Sequence, residues 1–178
     1  MKHAILLDRD GTLIEELEDE VIDSIQKVRI LPNTIPALKL LVKNEFKLFI
    51  ITNQIGISQG RLTIEQFHNI NSHIIRKLES EGIHIEKTFF CPHRPKDNCR
   101  CRKPKPGMLE EAKRMYKLNL KEAYVIGDRQ SDIQLGKTMG CKTIFVLTGR
   151  DSLHKAEAEK PDFVAKDLLD GVKYILDH

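Results

Sequence analysis

The chain has 178 residues, 40% of them hydrophobic and 31% charged, with a formal net charge of +3, a profile that fits an ordinary soluble globular protein with room for a buried core. Its basic residues are scattered, which argues against the cationic stripe of a nucleic-acid binder and leaves a small anionic ligand open. No apolar run approaches the ~18 residues that a membrane span needs, and a strand starts within three residues of Met1, so no membrane partner is expected and a cytoplasmic monomer is anticipated.

In chain order, Ala4-Ile5-Leu6-Leu7 reads as a buried strand that leaves its sheet at Asp8-Arg9-Asp10-Gly11-Thr12. The acidic stretch Glu15 to Asp23 reads as a solvated loop or short helix. Ile35, Leu38 and Leu41 or Val42 recur at helical spacing, and Lys47 to Thr52 forms a second strand ending in Thr52-Asn53. Thr63 and Gln66 have the spacing of a capping box, and Phe67, Ile70, Ile74 and Leu78 continue one apolar face until Gly82. Thr88 to Phe90 reads as a short strand, Met108 to Lys117 as a helix, and Ala123 to Ile126 as a strand ended by Gly127-Asp128. A helix from about Ser131 closes at Gly140, Thr143 to Leu147 is a strand, and Leu168 to Leu176 is a last amphipathic helix. This alternation predicts an α/β fold in one domain over residues 1–178: a three-layer, Rossmann-like, mainly parallel sheet with helices on both faces.

Ligands of such sheets bind beyond the carboxyl ends of the strands. Three of the expected strands end there in polar groups: Asp8, Thr52-Asn53 and Asp128. Alternate residues of an extended chain share one direction, so the Asp8 and Asp10 carboxylates can enter one pocket. Phosphoryl transfer needs a nucleophile, a proton carrier for the leaving oxygen, and positive charge around the transferring group. Asp8 and Asp10 suit the first two roles, and a hard divalent ion such as Mg2+, with Asp128 arriving from another strand end, suits the third. Lys103 could neutralise more phosphate charge, and Thr52 could donate a hydrogen bond to it.

Cys91-Pro92-His93 and Cys99-Arg100-Cys101 offer three thiols and one imidazole in a proline-rich loop, residues 91–101, with few apolar side chains. Four such ligands close a tetrahedral zinc site and leave no open position, so the Zn2+ would be structural and would fix the loop that delivers Arg102 and Lys103. The alternative is a pair of free thiols in a loop with a surface histidine. Cys141 leads into an apolar strand and reads as a core residue.

Asp8-Arg9-Asp10-Gly11-Thr12, Ile51-Thr52-Asn53-Gln54, Lys103 and Gly127-Asp128-Arg129-Gln130-Ser131-Asp132 stand in the order of the four motifs of the haloacid dehalogenase superfamily, which the chain resembles over nearly its whole length. The cysteine loop resembles the branch of heptose-1,7-bisphosphate 7-phosphatases and histidinol-phosphate phosphatases. The resemblance implies that Asp8 attacks phosphorus to form an aspartyl-phosphate and that Asp10 serves as acid and then as base. It places Mg2+ on Asp8, the Asp10 carbonyl and Asp128. It implies further that Thr52 and Lys103 hold the phosphoryl group, that Asn53, Gln54, Arg102 and Arg129 contact substrate or orient the loops around it, and that Asp132 braces the fourth motif.

The segments between the motifs leave no room for a large cap domain, so selectivity is expected from loops. The five residues between His93 and Cys99 lean towards histidinol phosphate, whereas Gln54 to Gly60 and Lys103 to Leu109 lean towards the heptose branch. Arg102, Lys105 and Arg129 lead us to expect a phosphorylated sugar, specifically a bisphosphate held by its second phosphate. A phosphate-storing receiver domain is the non-enzymatic alternative, and it has no use for Asp10. A zinc-dependent nucleic-acid module would need interleaved aromatic and basic residues that the chain lacks.

Overall fold

The computed structural model describes residues 3–17, 21–150 and 153–178 and places β1 (Ala4–Leu7) inside a six-stranded parallel sheet. The other strands are β2 (Lys47–Asn53), β3 (Ile85–Cys91), β4 (Tyr124–Gly127), β5 (Lys142–Val146) and β6 (Phe163–Ala165). Their order is β3-β2-β1-β4-β5-β6, with every neighbouring pair parallel. The four residues of β1 are all buried, as expected of a strand covered on both faces, where the hydrophobic run is continuous rather than alternating. Ile5 and Leu7 face one core and Ala4 and Leu6 the other, following the two-residue period of a strand.

Helices α1 (Thr34–Lys43), α3 (Ile64–Glu79) and α7 (Leu168–Asp177) bury Leu38, Phe67, Ile74 and Val172 in the first core. Helices α4 (Gly107–Tyr116) and α5 (Gln130–Met139) bury Leu109, Ala112 and Leu135 in the second. The sheet is thus covered on both sides. Cys141 lies in the second core, where burial pushes its thiol up to about 12. The Thr63 hydroxyl accepts from the Gln66 N–H at 3.0 Å while the Gln66 side chain accepts from the Thr63 N–H at 2.8 Å, so the expected capping box starts α3. No described helix is long and apolar enough to cross a membrane.

Four elements differ from the sequence reading. Strand β3 is seven residues long rather than three, because it lies at the sheet edge and its charged Glu86 and Lys87 hide the apolar alternation. The opposite edge, β6, and the helix before it, α6 (Leu153–Glu159), were not expected, since three residues are too few to show a period. A single helical turn, α2 (Ile55–Ser58), follows β2. Within the acidic stretch, residues 18–20 lie outside the described residues. The rest is not simply solvated: Ile22 is buried and Val21 packs against the first core.

Strand order reverses between β1 and β4, since the chain builds outward from β1 to β3 and then returns to the other side. This switch point opens a crevice at the carboxyl ends of the strands, and Asp8 and Asp128 stand on its two sides. The far edge is secured at α7, where the Asp167 carboxylate accepts from the Asp170 N–H at 2.9 Å and from the Asn33 amide at 2.9 Å. Burial of Asp167 opposes its ionisation, but these bonds outweigh it and hold the carboxyl below its ordinary value. A depressed folded value contributes stability above the unfolded value, and that contribution disappears as pH falls through the folded one. Asp167→Ala should therefore lower stability in urea unfolding by about 1 kcal/mol at neutral pH, and the gap should narrow once pH drops below ~4.

Candidate active site

The crevice at the switch point holds a pocket of about 290 Å3. Asp8, Asp10, Thr52, Asn53, Gln54, Arg102, Lys103 and Arg129 all line it, whereas Asp128 lies fully buried beneath. The turn after β1 sends both Asp8 and Asp10 into this space, and the Asp8 N–H is held by Ile126 of β4 at 2.9 Å.

Lys103 is the hub. Its ammonium, 2% exposed, lies 2.8 Å from Asp8 Oδ1, 2.6 Å from Asp132 Oδ1 and 2.8 Å from the Ile51 carbonyl. Burial pulls the Lys103 pKa down, yet Asp132 and Asp8 more than reverse this and leave it above its ordinary value. Burial pushes Asp132 up to about 6 against the pull of Lys103. Asp128, fully buried and close to Asp8 and Asp132, is pushed well above the usual carboxylate range, burial being the largest cause.

Asn53 fixes the backbone that carries this lysine. Its Nδ2 donates to the Lys103 carbonyl at 3.2 Å and its Oδ1 accepts from the Lys103 N–H at 3.1 Å. Gln54 Nε2 donates to Asp10 Oδ2 at 2.6 Å and to the Thr52 hydroxyl at 2.8 Å. Asn53 and Gln54 thus act on protein groups, holding Lys103 and Asp10 in place. Arg102 reaches the His93 carbonyl at 3.2 Å, and Arg129 pairs with Glu16. Lys105 is the exception among the expected cations, since it turns to Asn98 at 2.5 Å and does not line the pocket.

Asp8, Asp128 and Asp132 offer oxygens within 4.8 Å of one another, a group that could hold a metal ion. Asp128 Oδ1 accepts from the Thr12 hydroxyl at 3.3 Å, but its buried Oδ2 has no hydrogen-bond partner. Such an orphan oxygen is costly unless a cation meets it. Backbone crowds this carboxylate from two sides: a Cβ at Gly11, whose φ is +83°, would lie 2.6 Å from it, and one at Gly149 would lie 1.8 Å from Oδ2. Only glycine permits both approaches.

At the neighbouring strand end, β3 delivers Cys91 to a second cluster. The Cys91, Cys99 and Cys101 sulfurs lie 3.2–3.6 Å apart, and His93 Nδ1 is 3.3 Å from Cys101 and 3.6 Å from Cys91. These groups also could hold a metal ion, and none of the three thiols forms a disulfide. The loop is further tied down by Arg94, which donates to the Ser58 carbonyl of α2.

The "HAD-hyrolase-like" family model matches residues 100–171. The D,D-heptose 1,7-bisphosphate phosphatase from B. bronchiseptica, solved with magnesium and phosphate, superposes over 99% of this chain and 99% of its own, with TM-score 0.91 and 29% identity. In its matched segment and in its fold the chain is similar to the haloacid dehalogenase-like hydrolases. A D,D-heptose 1,7-bisphosphate phosphatase from Burkholderia thailandensis shares the fold, with TM-score 0.75 and 20% identity over 99% of this chain and 100% of that one. By sequence, the histidine biosynthesis bifunctional protein HisB of Legionella pneumophila (strain Lens) is 39% identical over 140 residues, 79% of this chain. The chain spans 40% of the length of that relative.

Two site residues escaped the sequence reading. Glu16 emerges from the acidic stretch to line the pocket, pairing with Arg129 and lying 3.5 Å from Arg150. Burial raises its pKa, and the two arginines work against that. Arg9 lies buried against Asp10. Neither has a local signal: Glu16 is one acid in a run of acids, and Arg9 falls between two aspartates whose alternation points it away from the site. Lys103→Met would leave Asp8 and Asp132 buried without their ammonium. Urea unfolding without divalent cations should show a loss of about 3–5 kcal/mol, with part of it recovered when Asp132→Asn is added.

Proposed function

We propose that this protein is a Mg2+-dependent phosphatase that hydrolyses a phosphate monoester through an aspartyl-phosphate on Asp8, with a sugar bisphosphate as substrate. The observation that supports this reading best is the division of labour between two carboxylates on one pocket. Asp8 is gripped by a buried ammonium, and Asp10 is held by neutral and guanidinium donors two residues on. Asp8 and Asp128, with the Asp10 carbonyl, would hold the Mg2+, and the orphan Asp128 Oδ2 suits that ion. When bound, the ion offsets the charge that gathers between the carboxylates and the phosphoryl oxygens.

Lys103 keeps one Asp8 oxygen turned towards itself, which orients the other for attack on phosphorus. Asp10 then carries a proton to the departing oxygen and later takes one from the water that cleaves the acyl phosphate. Thr52 stands beside Asp10 to contact the transferring group, while Asn53 and Gln54 hold Lys103 and Asp10 for it. A receiver that only stores phosphate would have no use for an Asp10 fixed in this way.

The Cys91, His93, Cys99 and Cys101 group suits a structural zinc. Zn–S bonds of ~2.3 Å set tetrahedral edges near 3.8 Å, and the three sulfurs lie somewhat closer than that, 3.2–3.6 Å apart. Freshly prepared, reduced protein should contain about one zinc per chain by elemental analysis. Its removal should lower activity even with Mg2+ in excess, because the loop that positions Arg102 and Lys103 loosens. Zinc-free protein of full activity would contradict this assignment.

Arg102 and Arg129 at the rim favour a second phosphate on the substrate, and the heptose-bisphosphate phosphatase likeness points the same way. We place the cleaved group at the 7-phosphate of heptose 1,7-bisphosphate. The HisB likeness favours histidinol phosphate as a second reading. A second anchoring phosphate should raise kcat/KM about tenfold over a matched monophosphate, the equivalent of about 1.4 kcal/mol. The check is phosphate release from heptose 1,7-bisphosphate, heptose 7-phosphate and histidinol phosphate with Mg2+. A higher kcat/KM for histidinol phosphate transfers the assignment to it, and no release from any ester defeats the phosphatase reading.

A further inference from the structure

Arg9 lies between the two aspartates, where an extended chain would turn it away from the pocket. Its guanidinium instead folds back onto Asp10: Nη2 donates to Oδ1 at 3.0 Å and to Oδ2 at 3.1 Å, and Nε lies 3.3 Å from each. The side chain is 1% exposed and rests over the Phe67 ring, 5.4 Å from its centroid. Phe67 is itself buried on α3 and packs against Phe90 of β3 at 4.3 Å. Gln54 adds its bond to Asp10 Oδ2 from the β2 side. The Asp10 carboxylate is therefore clamped by donors supported from three different elements.

This arrangement carries a cost. Nη1 of Arg9 is buried with no hydrogen-bond partner, a loss that an apolar side chain stacked on Phe67 would avoid. A residue present only to fill space would not be a guanidinium here. We infer that Arg9 is a positioning residue for proton transfer by Asp10: its fork fixes the Asp10 carboxyl group where it meets the leaving oxygen.

The inference rests on the phosphatase reading above. In the step concerned, an Asp8 oxygen forms the new bond to phosphorus as the phosphorus–oxygen bond to the leaving group breaks. The electron pair of that bond stays on the leaving oxygen, which takes the proton of the Asp10 carboxyl group. An alkoxide leaving group requires this proton, whereas p-nitrophenolate departs without it. The constant kcat/KM covers only events up to this transfer, so the later role of Asp10 towards water does not enter.

The test compares wild type, Arg9→Met and Arg9→Lys on two esters with Mg2+ supplied: p-nitrophenyl phosphate, and whichever of heptose bisphosphate and histidinol phosphate wild type turns over faster. For Arg9→Met, kcat/KM on the alkyl ester should fall on the order of a hundredfold, while p-nitrophenyl phosphate changes by less than about threefold. Arg9→Lys keeps the charge but not the fork and should fall between wild type and Arg9→Met on the alkyl ester. It also serves if the methionine variant does not fold. An equal loss on both esters, or no loss on either, overturns the inference while the phosphatase reading stands. Wild type that cleaves neither ester removes both.

Discussion

The buried ammonium of Lys103 is the contact on which the rest of the site depends. Asp8, Asp128 and Asp132 converge at one point of the fold because β1 and β4 are neighbours at the place where strand order reverses. Three carboxylates sharing a water-poor space would repel one another and the backbone that carries them. Lys103 enters from a loop that belongs to neither strand and meets two of the three. The third, Asp128, has an oxygen without a hydrogen bond, 3.9 Å from Arg129 Nε. Charge is thus partly balanced by the chain, and the three carboxylates form a group that could hold a cation.

The loop that brings the lysine needs its own support, since it has little apolar surface with which to pack. Asn53 brackets the Lys103 backbone from the end of β2, and the cysteine and histidine group gathers the preceding turn two residues upstream of it. Close packing continues on the far side, where a Cβ at Gly107 would fall 2.6 Å from the Arg100 carbonyl. Lys103 is held by the Asn53 amide on one side and by the loop that carries the cluster on the other. The cluster at residues 91–101 and the carboxylate of Asp8 are therefore mechanically linked through Lys103.

Legibility in the sequence followed burial. β1, β2 and β4 sit inside the sheet as unbroken apolar runs, and the polar residues that end them stand out, so Asp8, Thr52-Asn53 and Asp128 were visible as strand-end groups. The capping box and apolar face of α3 were equally plain. The edges of the sheet were not: β3 carries charge on its open side, and β6 is three residues long. Lys103 has no periodic signal of its own and was picked out by its place among the family motifs. Arg9 and Glu16 act against their local pattern, the first by folding back from an outward position and the second by leaving an acidic stretch for an arginine partner. Contacts that reverse a local rule become visible only when the fold is assembled.

The central claim is that Asp8, held by Lys103, attacks phosphorus itself rather than merely assisting water. The steric course at phosphorus decides it most directly, using a substrate whose phosphoryl group is made chiral with isotopes of oxygen and sulfur. Two successive displacements, onto Asp8 and then onto water, predict net retention of configuration. Net inversion would mean a single attack by water and would contradict the account.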